Sequence, residues 1–137
     1  MNRRIIFVCT GNTCRSPLAE SYAKTISKGS TFTSRGLMVT EDGVNPGTMK
    51  IVEDEGLVRP EGPAQLKPED VEGSVLLVMT RDHESFIKSM YPEAEVYLLS
   101  EYADGTTVDI TDPIGGSDGD YRAVYSQLTK FLGKLFK

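Results

Sequence analysis

The chain has 137 residues, a formal net charge of −5 and a composition ordinary for a soluble globular protein. Its length is sufficient for a real hydrophobic core, and we expect residues 1–137 to form a single domain. The negative charge argues against a nucleic-acid partner, and no apolar run approaches the roughly 20 residues that span a bilayer.

The N-terminus is basic and then apolar, which superficially resembles a signal peptide. The apolar stretch is too short, however, and Gly11-Asn12 breaks it, so a buried first strand is the better interpretation. We therefore expect a cytoplasmic protein without a membrane partner, and a monomer. Cys9 and Cys14 are too few for a disulfide scaffold, and no cysteine or histidine spacing indicates a metal or other cofactor.

Continuous apolar runs and helical periodicities predict the elements in chain order. The first helix is expected to begin at Pro17, with Ser16 as its N-cap, and to end before Gly29. The remaining segments are predicted as irregular, notably 40–47, 59–68 and 102–119. The predicted strands are 5–8, 31–34, 75–79 and 96–99, and the later helices are 49–56, 81–90 and 120–136.

The resulting order is β-α-β-α-β-α-β-loop-α. Strands that are apolar throughout and alternate with helices indicate an α/β fold. We predict a three-layer sandwich in which a four-stranded parallel sheet carries helices on both faces. Because ligands of such folds bind beyond the carboxyl ends of the strands, the loop that follows strand 5–8 is expected to form the site.

That loop runs from Cys9 to Pro17 and contains a C-x5-R spacing between Cys9 and Arg15. A loop between a strand and a helix N-terminus turns successive N–H groups inward and favours an anion. Gly11 supplies torsional freedom, and Asn12 tolerates a left-handed conformation. The Gly-Lys-Ser/Thr ending of a nucleotide-binding P-loop is missing.

Cysteine in such a cradle is nucleophilic, because helix N-termini and nearby arginine favour the thiolate. Arg15 offers a planar fork for two phosphoryl oxygens, and Ser16 can donate its hydroxyl to the Cys9 sulfur. The alternative without a catalytic function is a buried cysteine at a strand end followed by a surface arginine. The glycine, asparagine, serine and proline of the loop make that alternative the weaker one.

The loop, the Asp112-Pro113 pair and the β/α order together resemble the low-molecular-weight protein tyrosine phosphatase family over nearly the whole chain. The resemblance implies that Cys9 is the nucleophile, Arg15 the phosphate clamp and Asp112 the general acid and then base. The chain departs from the family pattern at Glu61, where many members carry a histidine that supports the loop. The resemblance also assigns phosphate binding or loop support to Thr10, Gly11, Asn12, Thr13, Cys14, Ser16 and Ser34.

Two positions bear on the substrate. Tyrosine phosphatases of this family usually have isoleucine or leucine where this chain has Thr13, and often carry aromatic residues after the Asp-Pro pair, where this chain has Ile114. Both features resemble the bacterial protein arginine phosphatase branch. We therefore expect hydrolysis of phosphoarginine in proteins, with phosphotyrosine as the alternative. Leu37 and Met38 match a wall of the family's pocket, although core packing is an equal alternative.

Three further residue types have competing interpretations. Cys14 is either a small apolar filler or a resolving thiol that forms a reversible disulfide with Cys9 under oxidants. His83 is expected to be a solvated or partly packed surface residue. Several acidic residues rival Asp112 as the general acid, namely Asp104, Asp109, Asp118 and Asp120.

The sequence disfavours two other classes of protein. Thioredoxin-coupled arsenate reductases share the fold but need cysteines downstream, and this chain has none after Cys14. A catalytically dead redox or phosphate-binding module is disfavoured because Cys9, Arg15 and Asp112 are all present.

Overall fold

The computed structural model describes residues 4–136, which form four strands and six helices. The strands are β1 Arg4–Cys9, β2 Thr31–Gly36, β3 Ser74–Val78 and β4 Glu95–Leu98. The helices are α1 Arg15–Ile26, α2 Pro46–Asp54, α3 Pro68–Val71, α4 Arg81–Met90, α5 Leu99–Asp104 and α6 Asp118–Phe136. Residues 1–3 of the predicted N-terminal segment lie outside the described residues.

The strands form one parallel sheet in the order β2-β1-β3-β4, which confirms the predicted α/β class. β1 is central, and Phe7 on it pairs with Ser34 of β2 and with Leu77 of β3. Chain connections leave β1 and β3 in opposite directions along the sheet. The crevice between their carboxyl ends is therefore the topological switch point, where open α/β sheets bind ligands.

The core lies on both faces of the sheet because alternate residues of a strand point to opposite faces. Ile5 and Phe7 pack with α1 and α6 residues on one face, whereas Ile6 and Val8 pack against Ile87 of α4 on the other. All of these strand residues are buried, which explains why the strands are apolar without alternation.

The predicted strand 96–99 and the loop after it were partly wrong. β4 ends at Leu98, and α5 occupies Leu99–Asp104, ending at Gly105 with a left-handed φ of 80°. A helix of six residues is too short to show helical periodicity, and the buried Leu99 reads as a continuation of the strand. α3 was also missed, because it has only four residues.

Helix boundaries differ in two informative places. α1 begins at Arg15, and its N-cap is Cys14 without a side-chain capping bond, so the prediction of Ser16 as the N-cap was wrong. α2 begins at Pro46, earlier than predicted, because the Asn45 side chain accepts a hydrogen bond from Gly47 N and caps it.

None of the helices in the described part of the chain is long and apolar enough to cross a membrane.

Gly47 in the first turn of α2 is required by packing against α6. A Cβ built on it would lie 2.1 Å from ring atoms of Tyr121, whose side chain is buried. Replacing glycine by alanine in a helix normally stabilises by up to about 1 kcal/mol. Gly47→Ala is instead expected to destabilise by about 2 kcal/mol, as other overpacked cores do, measured by urea unfolding.

The matched control is Gly43→Ala, since a Cβ at Gly43 meets nothing within 4 Å. It should change the free energy of unfolding by less than about 0.5 kcal/mol. Equal free energies of unfolding for the two variants would contradict this expectation, because they would show that the ring of Tyr121 can move away from the added Cβ without destabilising the protein.

Candidate active site

The candidate site lies where β1 ends, beside the end of β3. Cys9 is the last residue of β1, and the loop of residues 9–15 then leads directly into α1. Residues 105–117 reach the same place from the other side, because Ile110 N donates to the carbonyl of Met79 just after β3 (2.8 Å). The site is thus assembled from segments distant in sequence.

Four backbone carbonyl groups of the 9–15 loop accept hydrogen bonds from backbone N–H groups outside the loop. A trans peptide holds its C=O and the following N–H on opposite sides, so carbonyls fixed outward turn the next N–H groups toward the loop interior. The result is a cradle of N–H donors suited to a tetrahedral anion. The four bonds are Leu37 N to Cys9 O (3.1 Å), Met38 N to Thr10 O (2.8 Å), Asn45 N to Thr13 O (2.9 Å) and Leu18 N to Cys14 O (3.3 Å).

Two backbone positions make this curvature possible. Asn12 has a φ of 57°, the left-handed conformation that asparagine tolerates better than most residues. Gly36 at the end of β2 lies against the loop, and a Cβ there would be 2.9 Å from the Thr10 carbonyl oxygen. Gly36 therefore allows β2 to approach the loop closely enough for Leu37 and Met38 to donate their N–H groups.

The Cys9 thiol is the first member of a buried chain of side-chain hydrogen bonds. Ser16 Oγ lies 3.0 Å from Cys9 Sγ and accepts a bond from Asn12 Nδ2 at 2.7 Å. The amide occupies a lone pair of the hydroxyl, so the Ser16 hydrogen is left for an acceptor. The Cys9 sulfur lies within its reach, and the Arg35 carbonyl is a second acceptor at the longer distance of 3.5 Å. Ser16 can therefore stabilise negative charge on Cys9. Its hydroxyl is available for this role because it does not cap α1.

The series of hydrogen bonds continues from Asn12 into the segment before α3. Asn12 Oδ1 accepts from Ala64 N (2.9 Å), and the Ala64 carbonyl accepts from Gly36 N (2.8 Å). A backbone amide thus supports the loop asparagine in this protein. The side chain of Glu61 is directed elsewhere, because it accepts from Thr33 Oγ1 (2.8 Å).

Glu20 of α1 anchors this supporting segment and was missed in the sequence. Its fully buried carboxylate accepts from Ser34 Oγ (2.5 Å), Lys24 Nζ (2.6 Å) and Glu61 N (3.0 Å). Ser34 therefore bonds to Glu20 rather than to the loop, and its support is indirect. No sequence signal distinguishes Glu20 from a solvated helix carboxylate, because its burial depends on β2 and residue 61.

Arg15 and Asp112 come together across the site. Arg15 is 5% exposed, and its Nη1 donates to the Ile110 carbonyl (3.0 Å). Its Nη2 lies 3.6 Å from Asp112 Oδ2, while Asp112 Oδ1 accepts from Ile114 N (3.1 Å). The guanidinium is therefore fixed in direction and keeps further N–H groups for an anion, and the half-exposed carboxylate sits beside it.

The rival carboxylates are engaged elsewhere. None of them makes an ion pair with Arg15 among the described residues, whereas Asp112 does. Their partners are Lys134 for Asp104, Arg81 N for Asp109, Lys50 for Asp118 and Ser117 N for Asp120.

Thr13 and Cys14 lie inside the loop. Thr13 is 7% exposed, and its Oγ1 lies 3.7 Å from Cys14 Sγ. Cys14 Sγ also lies 3.8 Å from Tyr121 OH, and burial raises the pKa of Cys14 above its ordinary value. Both cysteines are free thiols, so the disulfide between Cys9 and Cys14 stays a prediction.

Two apolar side chains are exposed beside the site. Met38, whose N–H is bonded to the loop, is 67% exposed, and Ile114, two residues after Asp112, is 62% exposed. Neither side chain belongs to the buried core, so core packing does not explain Met38.

His83 is buried against the loop, and its expected surface position was wrong. It is 7% exposed, and its Nε2 lies 2.9 Å from Thr10 Oγ1. Burial and the positive charge of Arg15 lower the pKa of His83 to about 4, although Asp109, Asp82 and Asp112 act in the opposite direction. The flanking acidic residues suggested that His83 is exposed. The ring is buried because the fold packs the start of α4 against Thr10, which the local sequence does not indicate.

Residues 4–137 match the family model of low molecular weight phosphotyrosine protein phosphatases. The PtpB low molecular weight protein-tyrosine-phosphatase of Staphylococcus haemolyticus is 41% identical over 134 residues, covering 96% of each chain. The PtpB protein of Staphylococcus epidermidis is 37% identical with the same coverage.

Among solved structures, the YwlE arginine phosphatase of Geobacillus stearothermophilus superposes with a TM-score of 0.92 at 33% identity. The superposition covers 97% of this chain and 90% of that one. A YwlE mutant from Bacillus subtilis matches equally well, with a TM-score of 0.92 at 31% identity over 98% of this chain and 96% of that one. The chain therefore belongs to the low molecular weight phosphotyrosine protein phosphatase family. It is a protein phosphatase of the metal-independent kind, and its substrates are phosphorylated proteins.

The titration of His83 can be followed directly, because it is the only histidine of the chain. We expect the ring carbon and proton shifts in NMR spectra to move with a midpoint near pH 4 rather than near 6.5. Since the folded pKa lies below the unfolded one, the unfolded state binds more protons between these values. Stability should therefore fall as pH drops from about 6.5 toward 4.

The Arg15→Met variant serves as the comparison, because loss of the guanidinium charge should move the midpoint upward. A midpoint near 6.5 in the wild type would contradict the burial of the ring against Arg15.

Proposed function

We propose that this phosphatase hydrolyses phosphoarginine in proteins by double displacement, with Cys9 as nucleophile and Asp112 as general acid and base. Cys9 attacks phosphorus in line, and the N–P bond breaks as Asp112 gives its proton to the departing guanidino nitrogen. Asp112 then takes a proton from water, which attacks the phosphocysteine and releases Cys9 and phosphate.

The loop stabilises the charge that develops on the transferring phosphoryl group. Its inward N–H groups and the remaining donors of Arg15 face the three equatorial oxygens. Ser16, 3.0 Å from Cys9 Sγ, lowers the energy of the thiolate when it leaves in the second step. Asp112 lies 3.6 Å from the Arg15 guanidinium, within reach of the leaving group on the open side of the cradle.

The charge around the site mouth is the observation that carries the choice of substrate. Asp82, Asp109 and Asp112 all act electrostatically on His83, which contacts Thr10 of the loop. Phosphoarginine places a guanidinium next to phosphorus, so carboxylates whose charge acts on this part of the loop favour its binding. A neutral phenol ester gains nothing from them.

The loop around Asp112 supports the same choice. Residues 109–120 contain no aromatic side chain that would stack on a phenol ring. Thr13 replaces a larger apolar residue in the cradle, which removes apolar contact with such a ring. The similarity to YwlE proteins that are named arginine phosphatases, at 31–33% identity, points in the same direction.

Hydrolysis of phosphotyrosine is the second candidate, and two observations favour it. The PtpB relative that is 41% identical carries the name of a protein-tyrosine-phosphatase. The exposed side chains of Met38 and Ile114 also offer apolar surface beside the loop, against which a ring can pack.

The two candidates are separated by kcat/KM for matched phosphoarginine and phosphotyrosine peptides. We expect the wild type to prefer phosphoarginine, and Thr13→Ile to shift the ratio toward phosphotyrosine by about tenfold, since added apolar volume favours the ring. Thr13→Val keeps the size of threonine and isolates the hydroxyl. A wild-type preference for phosphotyrosine would overturn the proposal, and an unchanged ratio in Thr13→Ile would remove Thr13 from it.

Asp112→Asn tests the proton transfer. A departing guanidine is strongly basic, with a conjugate acid of pKa above about 12, so it leaves only when protonated. We expect kcat on phosphoarginine to fall by about 10²- to 10⁴-fold, and less on para-nitrophenyl phosphate, whose leaving group needs no proton. Asp118→Asn, which loses only an exposed pair with Lys50, is the control and should retain activity.

A further inference from the structure

His83 is held in the crevice between β1 and β3, although it belongs to neither the loop nor the catalytic trio. It is the third residue of α4, which begins directly after β3, and Thr80 caps this helix by accepting from His83 N (3.2 Å). The ring thereby reaches across the switch point of the sheet to Thr10, the residue that follows the nucleophile.

Packing alone does not account for a histidine here. The ring is 7% exposed, and its Nδ1 is buried without a hydrogen-bond partner among the described residues. An unsatisfied buried polar atom costs about 1–3 kcal/mol, which an apolar ring of similar size would avoid. The polar contact that the ring does make is the bond between Nε2 and Thr10 Oγ1 (2.9 Å).

Thr10 is placed to touch a leaving group. Its backbone is fixed because its carbonyl accepts from Met38 N, yet the residue is exposed at the mouth of the cradle. A hydroxyl oxygen has two lone pairs and one hydrogen. Whichever tautomer His83 adopts, Thr10 Oγ1 keeps at least one lone pair for an N–H donor that arrives with the substrate.

We propose that Thr10 is a specificity-determining contact that accepts a hydrogen bond from a guanidinium nitrogen of phosphoarginine, and that His83 is the positioning residue that holds its hydroxyl in place. This inference rests on the proposed function. It assigns the leaving-group side of the pocket, whereas the loop N–H groups and Arg15 bind the phosphoryl group.

The electrostatics around the ring agree with this role. The charged groups that act electrostatically on His83 are Arg15 of α1, Asp82 of its own helix, and Asp109 and Asp112 of the segment before α6. Its pKa of about 4 keeps the ring neutral near pH 7, so it adds no positive charge beside a cationic leaving group. The carboxylates therefore act on the substrate guanidinium without a competing imidazolium.

A double-mutant cycle of Thr10→Val and His83→Phe tests the inference with both peptide substrates. Each single variant should lower kcat/KM on phosphoarginine about tenfold, as expected for one lost hydrogen bond, and on phosphotyrosine less than threefold. The double variant should lose about tenfold rather than a hundredfold, because the two residues act through one contact.

Three further measurements separate positioning from mere structural support. His83→Gln carries an amide near the position of Nε2 and should restore most of the preference lost in His83→Phe. Inhibition by inorganic phosphate, which has no leaving group, should weaken less than threefold in either His83 variant. Ser85→Ala, on the exposed side of α4, should match the wild type in all assays.

Multiplicative losses in the double variant, or equal losses on both substrates, would overturn the inference. So would a parallel loss of phosphate inhibition, since it would mean that the ring only supports the loop. If His83→Phe does not fold, Thr10→Val alone still tests the contact, because equal losses on the two peptide substrates would overturn the inference. The wild-type ratio tests the proposed function separately, because the inference depends on how the variants change that ratio.

Discussion

A small loop that gathers N–H groups around a thiol is stable only if its carbonyl groups find partners outside it. In this protein the end of β2, the segment before α2 and the first turn of α1 each supply such partners to the 9–15 loop. Asn12 accepts its left-handed backbone because its side chain bonds to both Ser16 and Ala64. The surrounding fold therefore preorganises the N–H donors of the loop, so that they are in place before an anion binds.

The same fold also positions the charged side chains of the site. Arg15 is fixed by the Ile110 carbonyl beneath the cradle, while Asp112 approaches it from an exposed loop. The positive charge of Arg15 is thus buried, and the negative charge of Asp112 lies beside it on the exposed side. An anion followed by a cation matches this order, and the proposed substrate, a phosphorylated guanidinium, has its charges arranged in this way.

Much of this arrangement could be predicted, because it depends on neighbours in sequence. The C-x5-R spacing and the strand and helix around it are local, so the positions of Cys9 and Arg15 at a strand end followed from the pattern. The parallel sheet also followed, since strands buried on both faces are apolar throughout. Short helices such as α3 and α5 were missed by the sequence prediction, because four to six residues are too few to show a helical period.

The sequence by itself determined the fold class and the position of the loop from Cys9 to Arg15 between a strand and a helix, since these depend on periodicity and residue spacing. Only the tertiary structure decided which polar residues become buried partners. Glu20 and His83 look like solvated helix residues until β2 and the loop after β1 pack on them. Contacts across 14 to 73 positions arise from the order of strands in the sheet, which no local pattern encodes.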